Sequence, residues 1–477
     1  LMESSKQEME RVLQLQKQFL ITNGPPSNAL RIDRIERLKS MLNDNRYKFV
    51  DAMNEDFGVR GRDTTLLSDI YTVLPSLNRA IKDLPKWTKK EKRKANSPFN
   101  LFGAKAYIQY EPLGTVGMIS PWNFPAFLAF TPLAGIFSAG NQVMHKPSEH
   151  TPNTSNLMKE LCDNAFDETE FATFLGGPET GAAFTEIQFD HLLYTGGGKV
   201  ARYVMQSAAK NLVPVTLELG GKSPVIVSKS ADAKATAKRV MFGKTLNSGQ
   251  ICLAPDYVMV HKSKKDDLVN SIKDVVNEYY PTIKDNSDYT SIINENHYDR
   301  IQNLISDAKE KGATIETINP ANEDFTQQEF FKIPPTLIFN VDDSMDVMKE
   351  EIFGPVLPIK EYESLDETIS YVNNNDKPLG LYYFGNDKNE ESQVIENTSS
   401  GGVTVNNVLG HLQQGDLPFG GVGPSGMGQY DGHDGFKNFS NQKAVYKDIS
   451  FRLDGLFSSI RPPYKGDIEK VLKSLLK

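Results

Sequence analysis

His191-Leu192-Leu193-Tyr194-Thr195-Gly196-Gly197-Gly198-Lys199-Val200-Ala201 decides the fold class. A short, mostly apolar run that stops at three glycines reads as a buried strand entering a tight turn, with a helix starting after Gly196. The run matches the pattern G-x-G-x-x-A, in which glycines let the backbone approach a phosphate and the free N–H groups of the helix start favour an anion. Taken alone, three glycines can equally be a simple turn. The neighbourhood repeats the arrangement. Val116-Gly117-Met118-Ile119-Ser120 reads as a buried strand, followed by a loop and a helix from about Leu128. Gln142-Val143-Met144-His145-Lys146 is the next strand, followed by proline-rich turns and a helix through Leu157 and Leu161, which makes the His191 run the third. Strands alternating with helices predict a parallel α/β sheet. The segment from Ser223 to about Leu409 repeats the alternation and predicts a second α/β domain.

At 477 residues the chain exceeds one ordinary core, so two or three domains are expected. Its net charge of −8 argues against a nucleic acid or an anionic membrane as partner and leaves small metabolites. Two cysteines, Cys162 and Cys252, point to free thiols in a reducing compartment. No apolar run is long enough to span a bilayer, and Leu1-Met2-Glu3-Ser4-Ser5-Lys6 is polar, so a cytoplasmic chain without a membrane anchor is expected. Lys86 to Lys94 holds five lysines and one arginine and reads as a solvated strand or loop. The last stretch carries Arg461-Pro462-Pro463-Tyr464 and a short amphipathic helix through Ile468, Val471, Leu472 and Leu475. That helix is too short and too charged to anchor the chain and is expected to pack on a neighbour.

Cys252 lies in Asn247-Ser248-Gly249-Gln250-Ile251-Cys252-Leu253-Ala254-Pro255, where small or polar neighbours are expected to leave it accessible on a loop. A thiol is mostly protonated at neutral pH, yet it is the best side-chain nucleophile for a carbonyl carbon. Cys162, in Lys159-Glu160-Leu161-Cys162-Asp163, reads only as a small buried hydrophobe. Attack on a carbonyl creates an oxyanion, and Pro121-Trp122-Asn123-Phe124-Pro125 offers a side-chain amide in a loop stiffened by two prolines. Glu218, in Leu217-Glu218-Leu219-Gly220-Gly221-Lys222, is a candidate base for activating water, more so if burial raises its pKa. An ion pair with Lys222 is the alternative. Lys146-Pro147-Ser148-Glu149, Gly177-Pro178-Glu179-Thr180-Gly181, Glu350-Glu351-Ile352-Phe353-Gly354-Pro355 and Phe419-Gly420-Gly421-Val422-Gly423-Pro424-Ser425-Gly426-Met427-Gly428 complete the set.

In this order, from Pro121 to Gly428, the motifs resemble the aldehyde dehydrogenase family. Phe124 in the Trp-Asn-Phe loop, the glycine run ending in Met427-Gly428 and the Arg-Pro-Pro-Tyr tail resemble its class-three-like branch. Asn211-Leu212-Val213-Pro214-Val215-Thr216-Leu217-Glu218 is most similar to bacterial coniferyl aldehyde dehydrogenases. The resemblance implies an aldehyde dehydrogenase-like α/β fold. A Rossmann-like cofactor domain would take residues 1–87 and 108–219, a catalytic α/β domain 220–409, a small bridging or oligomerisation sheet 88–107 and 410–447, and a tail 448–477. It implies a homodimer that oxidises an aromatic or medium-chain aldehyde to the acid. Cys252 would form a thiohemiacetal and then a thioester, Asn123 and the Cys252 N–H would stabilise the oxyanion, and Glu218 would activate water.

The implied cofactor is NAD, with NADP possible. Lys146 and Glu149, with Ser148, would hold the adenosine ribose, and Gly177 and Gly181 would line the adenine pocket. Thr195, Gly196, Gly197, Gly198, Lys199, Val200 and Ala201 would lie along the pyrophosphate. Ser120, Pro121, Trp122 and Leu219 would complete the cofactor site, with Glu351 on the nicotinamide ribose and Phe353 near the ring. No metal is implied, and the seven histidines show no paired ligand spacing. The chain departs from the commoner form at Gly197 and Gly198, where Ser-Thr is usual, at Ala201, where glycine is usual, and at Asp431-Gly432-His433, where His-Gly often follows the tyrosine, here Tyr430. Phe124, Met118 and Leu253 suggest an apolar substrate tunnel, with ordinary core as the alternative for the same residues. A cofactor-independent thiol hydrolase and a non-catalytic member of the fold are the competing readings.

Overall fold

Three β-sheets organise the chain in the computed structural model, which describes residues 3–476. Leu1 and Met2 of the polar N-terminal stretch, and Lys477 of the tail, lie outside the described residues. The first sheet runs Gly426–Met427, Val215–Glu218, His191–Thr195, Thr115–Ile119, Gln142–Lys146, Phe171–Thr173. All neighbours are parallel except the first pair. Its central strands are buried along nearly their whole length, as expected where helices cover both faces of a parallel sheet. Phe171–Thr173 is a strand that periodicity alone does not reveal, because three residues carry no pattern, so the His191 strand is the fourth rather than the third. The helix expected from Leu128 begins at Pro125, with proline at its first position, where no N–H is needed. Every residue of that helix, Pro125–Ser138, is buried. Helices Asn28–Asp44, Val73–Trp87 and Gly432–Asn438 pack on it. A Cβ on Gly135 would come within 2.9 Å of the Gly435 backbone, so this glycine pair brings the segment after Tyr430 against the helix.

From Thr115–Ile119 the chain moves outward to Gln142–Lys146 and Phe171–Thr173, then returns to the other side through His191–Thr195. The switch point lies between Thr115–Ile119 and His191–Thr195. Ligands of open α/β sheets bind beyond the carboxyl ends of the strands at such a point.

The second sheet runs Thr314–Thr317, Thr336–Phe339, Val356–Tyr362, Tyr257–His261, Pro224–Val227, Gly380–Phe384, Gly402–Val405. All pairs are parallel but the first. The carboxyl end of Val215–Glu218 leads through Gly220 and Gly221 straight into the amino end of Pro224–Val227, and Cys252 precedes the amino end of Tyr257–His261. The carboxyl edge of the first sheet therefore faces the amino edge of the second.

The third sheet is antiparallel and consists of Glu91–Arg93, Lys105–Pro112 and Ser440–Lys447. Its strands are half-buried or exposed along most of their length. The boundary expected at residue 107 falls inside its central strand, and Gly426–Met427 pairs with the first sheet instead. In the tail, Phe457 stacks on Phe99 at 4.6 Å, while helix Asp467–Leu475 buries no residue. Among the described residues no helix is long and apolar enough to cross a membrane.

Candidate active site

The loop that carries Cys252 is held in an uncommon backbone path. Asn247, Ser248 and Gly249 all have positive φ, at 52°, 53° and 73°. Such a run survives only where its surroundings over-determine it. Gln250 does much of this: Nε2 donates to Asn247 O (2.9 Å) and Ser291 O (3.1 Å), and Oε1 accepts from Ile293 N–H (3.1 Å). The Ser248 hydroxyl donates to Thr290 O, and a Cβ on Gly249 would strike the Gly354 carbonyl. The expectation that Ser248, Gly249 and Gln250 leave the thiol open on a loop is thus corrected. All three are buried staples, and Cys252 itself is only partly exposed, reached through a cavity.

Asn123 sits opposite, after strand Thr115–Ile119. Its carbonyl accepts from Arg60 Nη1 (2.9 Å) and Asn247 Nδ2 (3.1 Å), and its own Nδ2 donates to Gln250 O (3.1 Å). One amide hydrogen remains for an oxyanion. Arg60 and Asp69 form an ion pair at 2.5 Å with both side chains fully buried, and Asp69 Oδ1 accepts from Ala126 and Phe127 N–H at 3.0 Å each. Burial pulls the Arg60 pKa down against the pull of Asp69, and pushes the Asp69 pKa up against that of Arg60. The pair clamps both ends of the Asn123 loop. Asp69 lies in a π-helical turn, Leu66–Tyr71, a local departure found at many functional sites. Sequence reading missed both residues, since a lone charge in a helical stretch looks like solvated surface. Asp69→Ala, which strands a buried guanidinium, is expected to cost about 3–5 kcal/mol in a urea melt. A loss under 1 kcal/mol would mean that water already screens the pair.

Glu218 ends its strand in register with Thr195, and its carbonyl accepts from Gly196 N–H at 3.0 Å. The carboxyl is 2% exposed and neither oxygen has a hydrogen-bond partner among the described residues. Burial raises its pKa well above the ordinary value. The alternative partner is engaged elsewhere: Lys222 Nζ contacts Asp256 at 2.5 Å and the carbonyls of Val347 and Glu350 at 2.6 and 2.9 Å. Glu351 stands so close to Gly220 that a Cβ there would collide with its carboxyl. Burial and Asp256 push Glu351 up to about 8, against the Gly221 N–H, Arg300 and Lys222. The Cys252 thiol is raised by burial, then by Glu351 and Glu218, with the N–H groups of Cys252 and Leu253 opposing. It rests as a thiol that gains nucleophilicity when its proton is taken. Tyr430 Oη is also buried without a partner among the described residues, its pKa raised by burial and by the charges of Glu218 and Cys252, and Lys244 is lowered to about 7 by burial.

Ser120, Lys146, Thr195 and Glu218 terminate adjacent strands on one edge. Ser120 Oγ is 2.7 Å from His145 Nε2. Lys146 Nζ donates to Pro147 O at 3.0 Å and to Glu149 at 3.3 Å, and a Cβ on Gly181 would touch its stem at 3.6 Å, so the Lys146 and Gly177–Gly181 loops meet. Ser148 Oγ accepts from His150 N–H at 3.2 Å. Gly197 caps helix Gly198–Ala209 with no side-chain bond, and a Cβ there meets nothing within 4 Å. Lys199 and Val200 are exposed, whereas Ala201 is buried against the sheet. Trp122 meets Phe353 edge-on at 5.7 Å and His297 at 5.1 Å, while Leu219 is buried and donates to Ser425 O at 3.1 Å.

A cavity of about 360 Å³ opens at Cys252 and is walled by Phe124, Phe127, Leu128, Leu246, Ile251 and Phe419, with Ser76 and Asp431 among its polar groups. Of the three residues expected to line a tunnel only Phe124 does. Met118 and Leu253 are fully buried core, Met118 in the central strand and Leu253 behind Cys252 against Gly380. The thiol therefore lines an apolar cavity, the Asn123 amide bonds the Cys252 loop at Gln250 O, and the buried Glu218 carboxyl ends a strand of the first sheet.

Residues 25–445 match the model of the aldehyde dehydrogenase family. The chain is 51% identical to a probable coniferyl aldehyde dehydrogenase of Caulobacter vibrioides, over 100% of this chain and 98% of that one. It is 48% identical to a coniferyl aldehyde dehydrogenase of a Pseudomonas species, over 98% and 96%. Among solved structures, the substrate-bound state of Staphylococcus aureus AldH superposes with a TM-score of 0.89 at 37% identity, covering 98% of this chain and 99% of that one. Sequence, fold and the groups around Cys252 agree: the chain belongs to the aldehyde dehydrogenase family.

Proposed function

We propose that the protein oxidises an aryl or medium-chain aldehyde to its carboxylic acid with NAD(P). The observation that carries this reading is the Cys252 thiol in the wall of an apolar cavity, on a loop that the Asn123 amide bonds at Gln250 O; the buried, raised Glu218 carboxyl supports it. Cys252 gives its thiol proton to solvent as Sγ attacks the aldehyde carbon, and the oxygen of the thiohemiacetal is held by the free Asn123 amide hydrogen and the Cys252 N–H. The nicotinamide cofactor, when bound, supplies the hydride acceptor. Cys252 is then left carrying the acyl group as a thioester. Glu218 takes a proton from water, whose oxygen attacks the thioester carbon; the acid leaves and the thiol is restored. An aldehyde and one water thereby give the acid, one hydride and one proton.

The residues fit a dinucleotide. Gly197 leaves an open cradle at a helix start with free N–H groups, and buried Glu351 Oε1 has no partner among the described residues. The adenosine ribose would lie at Lys146 and Glu149, and the nicotinamide end at Glu351 and Phe353. The Glu149 carboxylate favours a ribose hydroxyl over a 2′-phosphate, which supports NAD over NADP. The first sheet and its helices would serve the cofactor, and the second would carry the thiol. The third sheet and the uncovered tail helix support a homodimer, and the two free thiols support a reducing, cytoplasmic setting.

The test is nicotinamide reduction by the purified protein with coniferyl aldehyde, benzaldehyde and hexanal, each with NAD and with NADP. Reduction is expected, faster with NAD and with the aryl aldehydes. Folded protein that reduces neither cofactor with any aldehyde would return the weight to a thiol hydrolase or a non-catalytic role.

A further inference from the structure

The cavity wall carries one carboxyl group that the proposed chemistry does not use. Asp431 follows Tyr430 and is 7% exposed. Its φ is 88°, a value that costs a non-glycine residue energy and persists where the surroundings hold it. Both hydrogen bonds it receives go to one oxygen: Ser76 Oγ donates to Oδ1 at 3.0 Å and the Gly432 N–H donates to Oδ1 at 3.1 Å. Among the described residues Oδ2 has no donor, although Asp431 lines the cavity together with Phe124, Phe127 and Phe419. Burial raises the Asp431 pKa, with Ser76, the Gly432 N–H and Arg79 opposing, so the carboxylate gains from any donor that reaches it. Asp431 lines the same cavity as Cys252, its Oδ1 tied to Ser76.

We infer that Asp431 Oδ2 accepts a hydrogen bond from a hydroxyl on the ring of the aldehyde, and that the protein therefore selects hydroxylated aryl aldehydes over their methyl ethers. The inference rests on the dehydrogenase reading for its substrate and on the cavity for its geometry. A volume of about 360 Å³ is at the small end of ligand sites and holds one ring with a short side chain. Three phenylalanines give flat apolar walls for that ring. A phenol donating to a carboxylate makes a charge-assisted bond, whereas a methyl ether has no proton to donate to it.

The experiment compares 4-hydroxycinnamaldehyde, 4-methoxycinnamaldehyde and cinnamaldehyde as substrates of the full chain. Direct binding of the unreactive 4-hydroxycinnamyl and 4-methoxycinnamyl alcohols is measured alongside by calorimetry. The variants are Asp431→Asn, which tolerates positive φ and keeps one acceptor, and Asp431→Gly, which relieves the strain and removes the acceptor. The wild type is expected to favour phenol over methyl ether by about 10- to 100-fold in kcat/KM and in alcohol affinity. Asp431→Gly is expected to bring both ratios to within about threefold of unity, with Asp431→Asn between. A wild-type ratio near one, or a ratio that survives Asp431→Gly, overturns the inference and leaves the dehydrogenase standing if cinnamaldehyde is oxidised. Should no aldehyde be oxidised, the dehydrogenase reading falls, and the alcohol affinities still decide whether Asp431 reads the hydroxyl.

Discussion

Cys252→Ala is expected to lower aldehyde oxidation by on the order of 10⁴-fold or more, because covalent catalysis has no second route here. The other thiol, Cys162, is fully buried with its Sγ 3.9 Å from Met41 Sδ, whereas Cys252 lines the cavity. Cys162 sits on helix Pro152–Ala165, packed on the first sheet, and cannot reach the cavity. The same contrast gives a readout independent of turnover. A thiol alkylator should label the folded wild type at one site and the variant at none. Residual oxidation within tenfold of wild type, or undiminished labelling, would remove Cys252 from the role of nucleophile.

Glu218→Gln should separate the two halves of the reaction. Glutamine keeps the shape of the side chain and cannot take a proton from water, so thioester formation survives while its hydrolysis slows by about 10²- to 10⁴-fold. The expected trace is a burst of one reduced nicotinamide per active site followed by slow turnover. In the wild type, hydrolysis should rise with pH through the elevated Glu218 pKa, and in the variant that rise should vanish. Stability follows the same linkage. A carboxyl whose folded pKa lies above its unfolded value contributes fully below that unfolded value, and the contribution is lost as pH rises through the folded one. Glu218, raised by burial, therefore weakens the fold progressively as pH rises above the ordinary carboxylate range, and the glutamine variant should melt higher than the wild type at neutral pH. A variant with no burst would place Glu218 ahead of the hydride step instead.

How much of this was legible varies by residue. The glycine run at Gly196–Gly198 and the strands at Val116, Gln142 and His191 are local patterns, and the structure places strands there. Phe171–Thr173 escaped because a three-residue edge strand has no periodicity. Ser248, Gly249 and Gln250 were misread as the open rim of an accessible loop. Their polar atoms look solvent-directed in a list of residues, but they bond to Thr290, Ser291 and Ile293, which are remote in sequence. Met118 and Leu253 were assigned to a tunnel by proximity in sequence, and both turned inward to the core.

By itself the sequence determined the kinds of groups available and the order in which they occur: a thiol, an amide between prolines, a carboxyl beside glycines, and strands alternating with helices. Covalent order and short-range periodicity suffice for those. Only the tertiary structure decided that Lys222 turns to Asp256 and leaves Glu218 unpaired among the described residues, that Arg60 and Asp69 clamp the Asn123 loop, and that both hydrogen bonds to the Asp431 carboxyl among those residues go to one oxygen. Each outcome depends on which of several competing partners lies within hydrogen-bond reach. That distance is set by how two sheets and their helices pack, which no single stretch of the chain encodes.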